Sequence, residues 1–268
     1  MKKKIIVAYL SSIFSNNNDI KTFVKNYRKY NPSCKHKLII CFKKLNNTTI
    51  KERLKTLKGI KHEIFIDPEN VNDFDFGTLK RLSQKYKNNY IFWMNDYSYP
   101  CSKNWLKIIV GAMGPRTIVA TSASYSSHYS NSFTRNKNYS FIKFFSNIFL
   151  SFINFPRFPN PHFRTTNFMI NSDDFYKYIK NKKINSKLQA HSIESGYTGL
   201  TRYFERYKFN IIVINKDIKK FKIANFHESE TFAYKKISKN LTSDKKSRNF
   251  DKLNFVEKKK RRKQIWGL

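Results

Sequence analysis

The sequence predicts an α/β fold with a mostly parallel central sheet flanked by helices. Between residues 4 and 123, short β-branched and aromatic runs alternate with segments whose apolar residues recur at helical spacing. Alternation of this kind is typical of parallel strands joined by crossover helices that cover both faces of the sheet. With 268 residues, of which 40% are hydrophobic, the chain can build one large core of this type.

The first half of the chain supplies alternating strands and helices. Asp19 is placed to cap the first helix and Thr48 or Thr49 the second, which Gly59 would end. A third helix is predicted from Phe76 to Tyr86. The predicted strands are Lys4–Leu10, Lys37–Phe42, His62–Ile66 and Tyr90–Met94.

The second half continues the alternation less regularly. Further strands are predicted at Thr117–Ala123 and Ile211–Ile214, whereas Ser124–Asn138 is rich in Ser, Asn and His and is predicted to be a loop. Ser192–Gly196 is predicted to precede a helix, so that Glu194 would lie at its start. The other predicted helices are Trp105–Met113, Phe141–Phe155 and a segment capped by Asp173 or Asp174.

The aromatic segment Phe141–Phe155 is too short to cross a membrane, which takes about 20 apolar residues. Three interpretations remain open: an anchor in the membrane interface, a lid over an acceptor groove, or a helix packed on the sheet. The basic run Lys258–Lys263 suits a solvated helix or an anionic surface. Residues 231–268 are predicted to form a basic C-terminal extension.

The net charge of +35, from 53 Lys and Arg against 18 Asp and Glu, attracts polyanions. These charges are spread along the whole chain, and no helix-turn-helix, zinc-finger or RNP-type pattern accompanies them. The sequence therefore disfavours a nucleic-acid partner, although a basic nucleic-acid-binding protein remains an alternative.

Cysteine usage and the amino terminus favour the cytosol. Cys34, Cys41 and Cys101 form no even framework and no CxxC spacing. The apolar run after Met1 is cut short at Ser11, and no cleavage site of the signal-peptide type follows. We expect a cytoplasmic protein that attaches peripherally to the inner face of the cytoplasmic membrane.

The segment Tyr90–Ser98 is the best candidate for contact with a substrate. A buried strand here runs into Asn95 and Asp96, and Pro100 prevents its continuation. Ligands of open α/β sheets bind at the carboxyl ends of the strands, where such groups can face a hydroxyl, a metal ion or a diphosphate. The alternative is that Asn95, Asp96 and Ser98 simply form a turn.

Four separated blocks resemble bacterial nucleotide-sugar glycosyltransferases of the GT-A fold, in particular family-2-type proteins of surface-polysaccharide biosynthesis. Their order along the chain agrees with that family between residues 1 and 230. The first block is Phe74–Gly77 with Tyr90–Pro100 and Asn104–Leu106, the second Ile118–Ser124, the third Pro161–Ile170, and the fourth Glu194–Gly196 with Leu200–Arg202 and Val213–Asp217.

The resemblance implies a GT-A-like domain over residues 1–230. Residues 1–123 would hold the nucleotide sugar, and residues 124–230 would bind the acceptor. On the donor side, Ala8, Tyr9 and Ser11 would lie near the base, and Asp75 would contact nucleoside or sugar hydroxyls.

Asn95, Asp96 and Ser98 occupy the place of the family's acidic metal-binding motif. The sequence departs from the motif because Asp96 is its single carboxylate and Tyr97 stands where a second could be. Mg²⁺ or Mn²⁺ is usually held by one or two carboxylates together with phosphates and waters, so Asp96 is the metal ligand expected from the resemblance. A Lys or Arg that neutralises the diphosphate is the alternative.

Glu194 is the predicted general base of an inverting transfer, since the acceptor hydroxyl must lose a proton. Asp174, Asp217 and His162 are the alternative bases, and each also has a structural explanation. The remaining implied ligands are Arg164 and Arg202 for donor phosphates, and His162, Thr165 and Asn167 for the acceptor.

The predicted activity is therefore that of a hexosyltransferase-like glycosyltransferase. It would move a sugar from a nucleotide-diphosphate donor to a cell-surface glycan or a lipid-linked acceptor. A catalytically inactive relative, retained as an assembly partner, is a further alternative because the acidic motif is incomplete.

Overall fold

The computed structural model describes residues 3–68, 72–135, 140–234 and 239–268. The strands within these ranges are β1 (Ile5–Ser12), β2 (Lys37–Lys43), β3 (Glu63–Ile66), β4 (Tyr90–Met94), β5 (Tyr99–Pro100), β6 (Thr117–Ala120), β7 (Ala123–Ser124), β8 (His162–Phe163), β9 (Asn167–Asn171), β10 (Asn210–Ile214), β11 (Lys220–Phe221) and β12 (Thr242–Ser243). Eight of them form the central sheet, in the order β11-β10-β6-β9-β4-β1-β2-β3. The predicted α/β fold with a mostly parallel sheet is confirmed.

The helices lie close to the predicted positions, but neighbouring residues cap several of them. Asn16 caps the first helix and forms a capping box with Asp19, whereas Asn46 and Asn171 cap the second and seventh helices. The helices are α1 (Asn17–Lys29), α2 (Asn47–Thr56), α3 (Phe74–Lys85), α4 (Trp105–Gly111), α5 (His128–Arg135), α6 (Phe141–Asn154), α7 (Ser172–Ile179), α8 (Lys187–Ser195), α9 (Leu200–Arg206), α10 (Lys245–Lys252), α11 (Phe255–Trp266) and a 3-10 helix at Ile223–Ser229.

The two faces of the sheet bury separate apolar clusters, which explains why strands such as β4 are apolar at every position. Trp93 of β4 faces a cluster with α3, α7 and α9, whereas Phe92 packs with α1, α2 and α4. Its ring centroid lies 5.4 Å from that of Trp105. Helices therefore cover both faces of the sheet, as a parallel sheet requires.

One central strand, β9, runs antiparallel to its neighbours. Met94 of β4 pairs with Asn167, and Ala120 of β6 pairs with Phe168. Since β9 runs in the opposite direction, the residues that precede it reach the edge where β1, β4 and β6 end. The antiparallel strand thus brings Arg164–Asn167 to the predicted ligand-binding edge.

Two local predictions need correction. The predicted loop at Ser124–Asn138 contains α5, and residues 136–139 lie outside the described ranges. Glu194 lies in the last turn of α8, which ends at the C-cap Gly196, and not at the start of a helix. The short polar side chains of α5 caused the first error. A buried serine such as Ser132 is polar, so its residue type does not show that it lies in a packed helix.

The C-terminal extension is helical and basic, as predicted, and it is packed on the core. β12 pairs antiparallel with β5, and Phe232, Leu241 and Phe250 are buried. Trp266, near the end of the chain, is also buried, and its indole N–H donates to the carbonyl oxygen of Phe232 at 2.8 Å. Residues 231–234 and 239–268 therefore form one wall of the folded body, which we call the C-terminal wall.

No helix in the described part of the chain has both the length and the apolar character needed to span a bilayer.

Candidate active site

Asp96 follows β4 at the carboxyl edge of the sheet and is almost fully buried. The Ser12 hydroxyl, at the end of β1, donates a hydrogen bond to Asp96 Oδ2, and the Tyr9 hydroxyl donates to the Asp96 carbonyl oxygen at 2.9 Å. Burial raises the pKa of Asp96 to about 6, and the negative charge of Asp75 contributes. Ser12, which the sequence did not single out, is thus the direct partner of the predicted metal ligand.

Tyr9 and Ser11 support this edge from within the core. The Tyr9 ring is wholly buried and stacks on Phe23 with 4.0 Å between ring centroids. The Ser11 hydroxyl accepts a hydrogen bond from Arg53 Nη1 at 2.8 Å. Both side chains are buried, and they hold the ends of β1 and β4 in place.

Asn95 and Ser98 form the predicted turn. The Ser98 hydroxyl donates to Asn95 Oδ1 at 2.6 Å, and the Ser98 amide donates to the Asn95 carbonyl oxygen at 3.0 Å. The Asn95 amide donates to the carbonyl oxygen of Thr166, which joins the turn to the segment before β9. The turn interpretation and the ligand-binding interpretation are thus compatible, because the turn positions Asp96.

Asp75 lies in the first turn of α3, whose start is fixed by a buried ion-pair network. Lys43 at the end of β2 contacts Asp67 at 3.2 Å and also pairs with Asp73, and Arg81 of α3 pairs with both carboxylates at 2.5–2.7 Å. This network anchors α3 to the carboxyl ends of β2 and β3. It was not predicted, because its members are up to 38 residues apart in sequence.

Gly77 is required by this network. A Cβ atom at this position would lie 1.9 Å from the Asp73 carboxylate, so only glycine leaves room for the ion pairs. The Phe74–Gly77 block therefore has a physical basis in the packing of Asp73 against α3.

Asp75 connects the other two carboxylates electrostatically. Burial raises the pKa of the partly exposed Asp75, and the negative charge of Glu194 contributes to the rise. Since Asp75 in turn raises the pKa of Asp96, Asp75 lies within electrostatic range of both other carboxylates. We call Asp96, Asp75 and Ser12 the carboxylate edge.

Glu194 is held from two sides in the last turn of α8. The Thr165 hydroxyl donates to Glu194 Oε1 at 3.2 Å, and His191 Nδ1 lies 3.9 Å from Oε2. Burial by itself would raise the pKa of Glu194, but His191 and the positive charge of Lys246 hold it well below its usual range. Glu194 is thus ionised and oriented, and Thr165, a predicted acceptor ligand, orients it.

The other predicted acceptor ligands lie nearby and are buried. His162 Nδ1 is 2.7 Å from the Asn160 carbonyl oxygen, and burial lowers the pKa of His162, so its ring is neutral at pH 7. The side-chain nitrogen and oxygen of Asn167 are buried and have no hydrogen-bond partner among the described residues. Buried amides are nearly always paired, so a bound molecule or water is expected at Asn167.

Of the two arginines predicted to bind donor phosphates, Arg164 has another partner. Arg164 is buried and makes a bidentate pair with Asp244, at 2.7 and 3.0 Å, and its guanidinium stacks 3.7 Å from the centre of the Phe232 ring. Asp244, which belongs to the C-terminal wall, neutralises the charge of Arg164. This corrects the prediction that Arg164 binds a donor phosphate. Arg202 donates a long hydrogen bond of 3.4 Å to Asn160 Oδ1 and makes no described contact with Asp96.

The alternative general bases are accounted for elsewhere. Asp174 lies in the first turn of α7, where its amide donates to the capping Asn171, and Asp217 forms an ion pair with Lys239 at 3.5 Å. Neither contacts Glu194 or Asp96 in any described interaction.

A cavity of about 740 Å³ opens beside Glu194. One side consists of α5, α8 and the segment around β8, and the other of α10 and α11. We call it the basic cavity, after the lining residues Lys246, Lys260 and Arg261. His128, His162 and His191 also line it. The sequence did not predict this cavity, since its walls come from residues far apart along the chain.

The side chains at the carboxylate edge decide whether the protein could hold a divalent cation. Within the described residues, no group of three or more His, Cys, Asp or Glu side chains is arranged to hold a metal ion. Asp96 and Asp75 fit a site completed by phosphate and water oxygens, because the charge of Asp75 raises the pKa of Asp96 and a cation would offset that repulsion.

No protein-family model matches the chain, and no curated protein matches it. Among solved structures, it is similar to a mannosyltransferase from Pyrobaculum calidifontis in complex with GDP-Man and Mn²⁺, with 7% identity, a TM-score of 0.48, and coverage of 83% of this chain and 57% of that one. It is also similar to the galactosyltransferase LgtC with donor and acceptor sugar analogues, with 10% identity, a TM-score of 0.39, and coverage of 83% and 69%.

A third similar structure is GalNAc-T7 with UDP, GalNAc and Mn²⁺, with 11% identity, a TM-score of 0.36, and coverage of 44% of this chain. The chain spans 22% of the length of GalNAc-T7 and 57% of the mannosyltransferase. Likeness of this degree leaves the activity of this protein to be argued from its own residues.

Proposed function

We propose that this protein is a glycosyltransferase that moves a sugar from a nucleotide-diphosphate donor to an acceptor hydroxyl. The observation that supports this most is the chain of carboxylates Asp96, Asp75 and Glu194, electrostatically linked and placed between the carboxyl ends of the strands and the basic cavity. A buried carboxylate such as Asp96, whose pKa is raised by burial and by the charge of Asp75, is costly to maintain, which favours a functional explanation.

On the donor side, Asp96 and Asp75 are the residues that would hold Mg²⁺ or Mn²⁺ against the diphosphate. The cation would neutralise the charge that develops on the leaving diphosphate. Ser12 orients the Asp96 carboxylate from one side, and the ion-pair network keeps α3, and with it Asp75, in position.

On the acceptor side, Glu194 is the proposed general base. Thr165 holds Oε1 of Glu194 through a hydrogen bond. The other oxygen, Oε2, lies near His191 and is available to an acceptor hydroxyl. A carboxylate that is ionised at neutral pH is in the form that can accept the hydroxyl proton. A base separate from the donor carboxylates suits an inverting displacement, in which the acceptor attacks opposite the leaving group.

We propose a cell-surface glycan or a lipid-linked molecule as the acceptor, reached at the inner face of the cytoplasmic membrane. The apolar side of α6 supports this, because Phe141, Ile142 and Phe149 are 77%, 82% and 63% exposed. An anionic bilayer is the partner that matches both this surface and a net charge of +35.

α6 is joined directly to the catalytic segment. The Tyr197 amide donates to the carbonyl oxygen of Asn154, the last residue of α6, at 3.1 Å. A Cβ atom on Gly196 would lie 2.8 Å from that oxygen, so the glycine permits the contact. A membrane-bound α6 would thus place Glu194, two residues before Gly196, close to the membrane surface.

The proposal is tested by titrating the purified protein calorimetrically with a panel of nucleotide-diphosphate sugars, with and without Mn²⁺. We expect one donor to bind and to be slowly hydrolysed, and Asp96→Asn to weaken its binding roughly 10- to 100-fold, since a charged interaction contributes about 1.5–3 kcal/mol. Asp217→Asn, on an exposed ion pair, is the matched control and should change binding less than about twofold. If no donor binds with or without metal, the proposed function is wrong.

A further inference from the structure

The basic cavity is lined by three cations that form no ion pair with the two carboxylates, Glu194 and Glu257, that also line it. Lys246, Lys260 and Arg261 all line it, and within the described residues none of them lies within 4.0 Å of a carboxylate oxygen. The hydrogen bond from Arg261 Nη1 to Gln264 Oε1, at 3.0 Å, leaves the charge of Arg261 unneutralised. By contrast, the charge of Arg164, beside these three cations, is neutralised by its bidentate ion pair with Asp244.

These cations are fixed to a rigid wall of the protein. The Tyr125 amide donates to the carbonyl oxygen of Ile265 at 2.9 Å, which joins the end of α11 to the segment before α5. Arg248 of α10 donates to the carbonyl oxygen of Tyr97 at 2.9 Å, which joins α10 to the turn that contains Asp96. The wall is therefore positioned relative to both the carboxylate edge and Glu194.

Lys246 is close enough to Glu194 to lower its pKa, so the cations and the proposed base face the same space. Phe232, Phe250 and Leu253 add apolar surface to the lining. A ligand that fits this combination has an anionic group for the lysines and the arginine, a hydroxyl directed at Glu194, and some apolar surface. A neutral sugar would leave the cations unpaired in a partly enclosed space.

We infer that the basic cavity is the acceptor site and that the acceptor carries a phosphate group held by Lys246, Lys260 and Arg261. The inference rests on the proposed function and names the substrate class of its acceptor. A phosphate offers several oxygens and up to two negative charges to these donors. It would be held on the C-terminal wall, while Glu194 accepts the proton of a nearby hydroxyl.

A phosphate group could belong to a lipid-linked acceptor or to a phosphorylated glycan or polyol. The two sources are separated with dodecyl phosphate and glycerol 3-phosphate as probes, with dodecyl maltoside as the uncharged reference. Stronger binding of dodecyl phosphate than of glycerol 3-phosphate supports the lipid-linked source, and equal binding of both supports the phosphorylated glycan or polyol.

The test compares the variant K246Q/K260Q/R261Q with the matched control K177Q/K180Q/K183Q. Each removes three exposed cations, so both lower the net charge equally, but Lys177, Lys180 and Lys183 lie on or after α7 and do not line the cavity. Binding is measured by calorimetry at about 0.15 M salt, which screens non-specific attraction to this basic protein. Circular dichroism and thermal unfolding verify that each variant is folded.

We expect the cavity variant to bind the tighter phosphate probe at least tenfold more weakly, and the control to change binding less than twofold. The nucleotide-sugar affinity should change less than twofold in both variants. Equal losses in both variants, or no phosphate binding by the unaltered protein, would overturn the inference. Phosphate binding through these residues without binding of any nucleotide sugar would instead overturn the proposed function and leave the anion site standing.

Discussion

The carboxylate edge and the basic cavity carry opposite uncompensated charges, although Glu194 lies within electrostatic range of both. At the carboxylate edge, burial raises the pKa of Asp96 and of Asp75, the charge of Asp75 raises that of Asp96 further, and no cation of the protein pairs with either of them in any described ion pair. In the basic cavity, Lys246, Lys260 and Arg261 lack carboxylate partners. Elsewhere, buried charges such as Arg164, Asp244, Lys43 and Asp67 are paired.

This difference indicates where ligands belong. Buried charges normally need a partner, and the fold supplies one wherever a charge only stabilises structure. The carboxylates at the carboxylate edge that have no such partner are therefore candidates for contact with a cation or its complex with a diphosphate. The cations of the basic cavity are exposed, and they are candidates for contact with a phosphate because they line a cavity beside Glu194.

Glu194→Gln should lower the transfer rate about 10²- to 10⁴-fold, because an amide cannot accept the hydroxyl proton. Donor affinity should change less than about twofold, since Glu194 contacts Thr165 and His191 and not the carboxylate edge directly. Single-turnover kinetics and calorimetry measure the two quantities. A parallel loss of donor binding and transfer would instead place Glu194 in donor binding or in folding.

Asp244→Ala should destabilise the protein by about 3–5 kcal/mol, because it leaves the buried Arg164 charge unpaired. The matched control is Asp217→Ala, which breaks an exposed ion pair and should cost less than about 1 kcal/mol. Urea denaturation measures both. Similar effects of the two substitutions would mean that the C-terminal wall is not an integral part of the core.

Asp96→Asn should stabilise the ligand-free protein at pH 7 by about 2–3 kcal/mol while it weakens donor binding. The pKa of Asp96 is about 6 in the folded protein, above its ordinary value near 4, so the folded state binds the Asp96 proton more tightly than the unfolded state does. Asp96 therefore stabilises the wild-type fold below pH 4 relative to pH 7 and loses that contribution as the pH rises towards 6.

The pH dependence provides the check on this prediction. The difference in unfolding free energy between Asp96→Asn and wild type should be largest above pH 6 and should shrink as the pH falls towards 4. A difference that does not depend on pH between 4 and 7 would show that the Asp96 carboxylate is not strained in the ligand-free protein.

Phe149→Ser should weaken binding to anionic lipid vesicles roughly fivefold, by removing about 1 kcal/mol of apolar burial from the exposed side of α6. The control is Ile66→Ser, which removes a side chain that is 59% exposed on β3. Vesicle sedimentation measures both. If Phe149→Ser, Ile66→Ser and the unaltered protein bind the vesicles equally well, α6 does not contribute to membrane binding. A soluble acceptor would then be the remaining possibility.

The sequence predicted the parts of the site that depend on a single segment. Asp96 was located because the apolar run Tyr90–Met94 must be a buried strand and because ligands bind where such strands end. Glu194 was selected as the base from its position in the fourth block, although its place at the end of α8 was predicted incorrectly. The His191–Glu194 spacing of three residues could have indicated that both lie on one helix face.

The parts that were missed depend on contacts between distant segments. Arg164 was assigned to donor phosphates because no local pattern shows that Asp244, 80 residues later, neutralises it. Asp244 did carry a signal, since an Asp before a helical segment is a typical N-cap, and it caps α10. The network of Lys43, Asp67, Asp73 and Arg81 carried none, because each residue alone looks like an ordinary surface charge.

By itself, the sequence determined the alternation of strands and helices, the α/β class and the strand Tyr90–Met94, which leads into Asp96. These follow from side-chain periodicity, which is a property of short segments. The tertiary structure alone decided which charges are neutralised and which remain for a ligand. The antiparallel insertion of β9 beside β4, and the pairing of Asp244 of the C-terminal wall with Arg164, settle that question, because the charge state of a buried group depends on the atoms around it and not on its neighbours in sequence.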